Sequence, residues 1–195
     1  MKKYQLVSPP FSMCFSDMSQ LELREFYHWY ISIIPQRIQV LAEAVKMTSG
    51  YENWEADFSP DSLEPLGRWF AQTLKTRPRT REEKEEIYAY APDWFKHVRV
   101  GDETLTTQTL SLAFDMGMYV GQVFLTNHPR LKWFHELRRK DDINYGYPVI
   151  AGFMKGICFN PTQMLRVYAR KLMHPENQSS LKDLYKIWTE RYIPK

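Results

Sequence analysis

Apolar side chains recur at intervals of three and four along most of the chain. Leu23, Phe26, Tyr27, Tyr30 and Ile34 keep that spacing, which predicts a helix opening near residue 20. Ser19 followed by Glu22 has the form of a capping box, with Met18 and Leu23 placed to staple the start. Pro35 stands where it can end this helix and begin the next. The second helix carries Ile38, Leu41, Ala42 and Val45 on one stripe and runs to about Thr48, ahead of Gly50. Residues 4–7 read as a short strand.

Leu66, Trp69, Phe70 and Leu74 mark a further helix that stops before Arg77-Pro78-Arg79, and Thr80 with Glu83 forms a second capping box for a short charged helix through Tyr90. Thr106 or Thr107 caps the longest helix, whose stripe is Leu110, Ala113, Phe114, Gly117, Gly121 and Phe124. Each glycine costs about 1 kcal/mol of helix propensity relative to alanine, so two on one buried face predict that another element approaches closely there. After Pro129, residues 131–137 and 148–153 read as two strands of a hairpin, and Asn160-Pro161 and Ser180 open two final helices. The pattern is that of a helix-rich α+β fold with a small antiparallel sheet in the C-terminal half. A chain of 195 residues closes one core more readily than two, so residues 1–195 are expected as a single domain.

Composition narrows the function classes. Apolar residues make up 44% and aromatics 15%, which excludes disorder. Cys14 and Cys158 are too isolated for a disulfide framework or a zinc site and are expected to be buried, inert thiols. The five histidines show no metal-ligand spacing, and no nucleophile elbow, phosphate-binding glycine loop or dinucleotide fingerprint occurs. No catalytic residue, metal or cofactor is therefore assigned. The apolar residues near the N-terminus are interrupted before a secretion signal can form, and residues 110–125 are too short and too polar for an ordinary membrane span; a cytoplasmic location is expected.

The net charge of +3 conceals an asymmetry: residues 1–127 carry a net −4 and residues 128–174 a net +6. Three candidate surfaces follow. The first is the segment 51–64, in which Tyr51, Trp54 and Phe58 alternate with Glu52, Glu55 and Asp57 ahead of Asp61 and Glu64; aromatic anchors among carboxylates suit a basic protein partner. The second is a polar helix face of Asp115, Tyr119 and Gln122, spaced i, i+4 and i+7 away from the glycine stripe. Its alternative is an internal hydrogen-bond network. The third is a basic set, Arg130, Lys132, Arg138, Arg139, Lys140, Arg166, Arg170 and Lys171, with Trp133, Phe134 and Tyr145 available to stack on bases of a nucleic acid.

The run Asp115-Met-Gly-Met-Tyr-Val-Gly-Gln-Val123, then Leu131-Lys-Trp133, then Pro148-Val-Ile-Ala-Gly-Phe153 and Asn160-Pro161 resembles uncharacterised small bacterial α+β domains. In these a Gly-x-Tyr-x-Gly-Glu/Gln-Val helix precedes a Trp-bearing strand and a Pro-led strand. The resemblance implies a bacterial origin and no activity; some such domains look like immunity or toxin-neutralising proteins. It is confined to the helix–hairpin–helix part of the chain. The leading expectation is thus a non-enzymatic bacterial binding protein, an immunity protein or antitoxin that blocks a protein partner through residues 51–64. The alternatives are a nucleic-acid-binding protein using the basic half and, third, a hydrolase with no recognisable motif.

Overall fold

The computed structural model describes residues 4–10, 14–174 and 180–193. The Ser19 hydroxyl accepts the Glu22 N–H while the Glu22 carboxylate accepts the Ser19 N–H, and this capping box opens helix α1, Gln20–Lys46. The expected break at Pro35 does not occur. Proline removes one N–H, yet the buried stripe of Phe26, Tyr30, Ile34, Ile38, Leu41 and Val45 continues in phase across it, and burial of that face outweighs the lost bond.

A 3-10 turn over Pro60–Ser62 leads into α2, Leu63–Thr73, which buries Leu63, Leu66, Trp69 and Phe70. The second capping box, Thr80 with Glu83, opens α3, Arg81–Tyr90. That helix and the following 3-10 turn, Asp93–His97, contain no fully buried residue. They form an excursion closed by a two-stranded antiparallel sheet that the sequence pattern does not announce: β1, Thr76–Pro78, pairs with β2, Glu103–Leu105.

Thr106 caps α4, Thr107–Asn127. Residues 111–121 are buried around the whole circumference, which makes α4 the central helix of the fold. Its glycines explain how neighbours come so close. A Cβ on Gly117 would stand 3.1 Å from the Pro161 carbonyl oxygen at the start of α5, Pro161–Leu172, and one on Gly121 would stand 2.7 Å from the Trp133 ring. Trp133 lies on β3, Lys132–His135, which pairs antiparallel with β4, Pro148–Ala151, in the hairpin expected for the C-terminal half. Ser180 caps the last helix, α6, Leu181–Tyr192. The α+β, helix-rich class read from the pattern is the class observed. One apolar cluster joins α1, α2, α4, the hairpin, α5 and α6. Among the described residues no helix is long and apolar enough to cross a membrane.

Residues 4–7 form no strand. Their backbone groups turn to side chains instead: the Val7 N–H donates to Ser111 Oγ (2.8 Å), and the Gln5 carbonyl accepts from Arg37 (2.8 Å). The thiols also depart from expectation, with Cys14 exposed and Cys158 half-buried.

Candidate functional site

The segment after α1 turns on Gly50, whose φ of +88° suits a residue without Cβ. It then folds its aromatic side chains inward. Trp54 is 6% exposed, its Nε1–H donates to the Ser62 carbonyl (3.1 Å), and its ring meets Tyr119 of α4 edge-on. Phe58 is half-buried with its ring 5.5 Å from the same Tyr119. The Tyr119 hydroxyl accepts the Phe58 N–H (3.2 Å) and shares a hydrogen bond with Ser62 Oγ (2.6 Å), while Asn127 donates to the Phe58 carbonyl (2.8 Å). One buried tyrosine thereby holds the segment at Phe58 and at Ser62.

This placement corrects the expectation that Trp54 and Phe58 are contact anchors: both rings pack on Tyr119 of α4, which buries Trp54 and half-buries Phe58. Tyr51 is half-buried, and Glu52, Glu55 and Asp57 remain exposed. Glu52 accepts the Gly50 N–H (2.9 Å), and backbone N–H groups hold its carboxyl below the usual value. Asp57 accepts the Ser59 N–H (2.8 Å). Among the described residues none of these three carboxylates is paired with a cation, whereas Asp61 binds Lys182 and Glu64 lies near Arg68. Tyr51, Glu55 and Asp57 face Pro65, Arg68 and Gln72 of α2 across an open concavity of about 720 Å³. Trp54 is among the residues that line it.

The polar face of α4 is not a surface. Asp115 and Tyr119 are buried and Gln122 is half-buried, so the three do not present a recognition patch. Asp115 takes both Arg37 Nε (2.8 Å) and Nη2 (2.6 Å) and also accepts the Tyr4 hydroxyl. The Arg37 guanidinium lies 5.8 Å from the centre of the Tyr4 ring. Burial lifts the Asp115 carboxyl above its ordinary value against the hydrogen bonds from Arg37 and Tyr4. Arg37 stays charged at any relevant pH, so the two form a buried, bidentate ion pair. Its role is to bind the segment carrying Tyr4 and Gln5 to α1 and α4.

The basic half is committed in part. Trp133 packs over Gly121, Tyr145 is buried, and Phe134 lies under the Arg138 guanidinium at 5.5 Å. Arg138 pairs with Glu136 (3.4 Å) and Arg139 with Asp141 (2.9 Å). Trp133 and Tyr145 are therefore not free to stack on bases. Arg166, Arg170 and Lys171 are exposed on α5.

Two histidines occupy structured positions. His128 Nε2 bonds the Tyr185 hydroxyl (2.8 Å), and His135 stacks on Tyr27 with ring centres 4.8 Å apart. Burial lowers the pKa of both; for His135 the nearby His28 and Arg24 act in the same direction, against the Gly146 backbone and Glu136. Among the described residues no group of three or more His, Cys, Asp or Glu side chains could hold a metal ion. The most exposed aromatic side chains with no predicted role are Tyr90 and Trp94, on the α3 excursion. Their only sequence signal is a tyrosine ending a charged helix and a tryptophan following a proline. Compared with protein-family models, curated proteins and solved structures, the chain matches none.

Proposed function

We propose that the chain is a non-enzymatic binding protein of the bacterial cytoplasm, of immunity or antitoxin type, which receives a basic segment of a protein partner in the hollow between residues 51–57 and α2. The observation that supports this reading is the pairing of three exposed carboxylates without a cation partner among the described residues, Glu55 and Asp57 lining the hollow and Glu52 beside it in sequence, with a backbone held by Trp54 and Tyr119. Fixed carboxylates at an open rim speed the encounter with a cationic surface, and a wall already ordered adds little entropy cost to binding. The turn thus serves recognition through its charges, with the aromatic residues as its foundation.

Affinity capture from a lysate of the source organism tests the reading. The wild-type chain is compared with a Glu52→Lys, Glu55→Lys, Asp57→Lys variant whose circular dichroism matches wild type. A basic protein retained by the wild type, released by added salt and lost in the variant is the expected result. The same proteins retained by both chains would contradict it.

A further inference from the structure

The excursion from Arg81 to Asp102 is held to itself more than to the core. Tyr88 donates its hydroxyl to the Val98 carbonyl (3.0 Å) and accepts the Val100 N–H (3.1 Å), and Lys84 and Arg99 both bind Asp102 (2.6 and 2.8 Å). Within nine residues it displays Tyr90, Trp94 and Val98, which are 86%, 70% and 42% exposed. Large apolar side chains clustered on an exposed tip mark an interaction surface. Residues 81–102 carry four basic and six acidic side chains, so this tip stands on an acidic arm. An acidic arm is repelled by an anionic lipid surface and suits a basic protein surface.

The same chain offers such a surface elsewhere. Helices α5 and α6 leave a groove of about 220 Å³ between them, lined mainly by Met164, Val167, Leu184 and Ile187, with Lys171 and Asp183 as its charged lining residues. Val167 and Ile187 are each 45% exposed, and Arg166 and Arg170 extend the basic rim along α5. The apolar tip belongs to an arm of net charge −2, four basic against six acidic side chains, and the apolar groove has Lys171, Arg166 and Arg170 against Asp183 around it, so the two are complementary in hydrophobicity and in the sign of their net charge. We propose that the chain associates with a second copy of itself, head to tail, with Trp94 of one copy seated in the α5–α6 groove of the next. The contact is heterologous: each copy keeps one free arm and one free groove, so assembly continues beyond two copies unless a ring closes. This inference does not depend on the hollow at residues 51–57, which shares no lining residue with the α5–α6 groove.

Sedimentation velocity over a wide concentration range tests it. The wild-type chain is expected to rise above the 23.3 kDa monomer with concentration, less so at high salt. A Tyr90→Ser, Trp94→Ser variant lacks the arm contact and a Val167→Glu, Ile187→Glu variant lacks the groove contact; each alone should associate at least about tenfold more weakly. If the second variant fails to fold, Arg170→Glu with Lys171→Glu replaces it, since both side chains are exposed. Mixing an arm-defective with a groove-defective chain restores one intact contact, so the mixture should form dimers and stop there. A wild type that stays monomeric throughout, or a mixture that yields no dimer, overturns the proposal. Association of the wild type with anionic vesicles that is lost in the Trp94 variant would also overturn it, in favour of a membrane-facing arm.

Discussion

Trp54 sets the edge of its indole against the ring of Tyr119, 5.4 Å between centres, so the tryptophan closest to the acidic rim belongs to the core beneath it. Trp54→Ala is accordingly expected to lower stability by about 3 to 5 kcal/mol through lost transfer energy and the remaining cavity. Urea denaturation without any partner reads this directly. A small shift in midpoint would mean that the indole is dispensable to the fold.

Tyr119→Phe isolates the polar part of the same contact. It keeps the ring but leaves the Phe58 N–H and Ser62 Oγ without their shared partner, at an expected cost of about 1 to 3 kcal/mol. Amide exchange should quicken at Phe58 in particular. Unchanged protection there would show that Tyr119 does not hold the turn.

Gly121→Ala places two effects in opposition. Alanine gains about 1 kcal/mol of helix propensity, but its Cβ would stand 2.7 Å from the Trp133 ring, and overpacking typically costs about 1 to 3 kcal/mol. Net destabilisation is expected. Trp133→Leu in the same chain should cost less than it does in wild type, because the smaller side chain also relieves the clash. Additivity of the two changes in a double-mutant cycle would contradict the packing described.

Arg37→Met leaves the Asp115 carboxyl buried without its cation and is expected to cost about 3 to 5 kcal/mol, whereas Arg37→Met combined with Asp115→Leu should recover much of that loss. The tether at Gln5 is lost in both. Faster exchange of the Val7 amide in both variants, with stability restored only in the double one, would separate the tether from the ion pair.

Burial lowers the pKa of His128 and His135 below the ordinary 6.5, so the folded state prefers the neutral rings. The unfolded chain then takes up protons at a higher pH than the folded one. This contribution to stability is complete above about pH 6.5 and is lost as the pH falls through the lower folded values. His135→Phe keeps a ring against Tyr27 and should flatten the fall in urea midpoint between about pH 7.5 and about pH 5.5. An unaltered slope in that variant would exclude His135 as a source.

Local signals in the sequence were sufficient wherever neighbours decide the structure. The capping boxes at Ser19 and Thr80, the caps at Thr106, Asn160 and Ser180, and the hairpin strands all depend on residues a few positions apart. Pro35 misleads because its rule is also local, while the stripe from Phe26 to Val45 is a property of the whole helix. Asp115 could not be matched to its cation, since Arg37 lies 78 positions upstream. The turn at residues 51–58 has no period, so nothing in its sequence says which way Trp54 points. Its carboxylates were legible as candidates, whereas its aromatic residues read as surface anchors and Trp54 belongs to the core. The three-residue strands β1 and β2 are too short to carry a pattern at all.

Recognition through the exposed carboxylates of the 51–57 turn, with its aromatics as support, has a kinetic signature. The most direct measurement is the association rate of the captured partner with wild type and with the Glu52→Lys, Glu55→Lys, Asp57→Lys variant, across a salt series. A wild-type rate that falls steeply with salt, and a variant that unfolds at the wild-type urea midpoint yet associates at least about tenfold more slowly, is the expected result. Equal rates for the two chains at every salt concentration would contradict it.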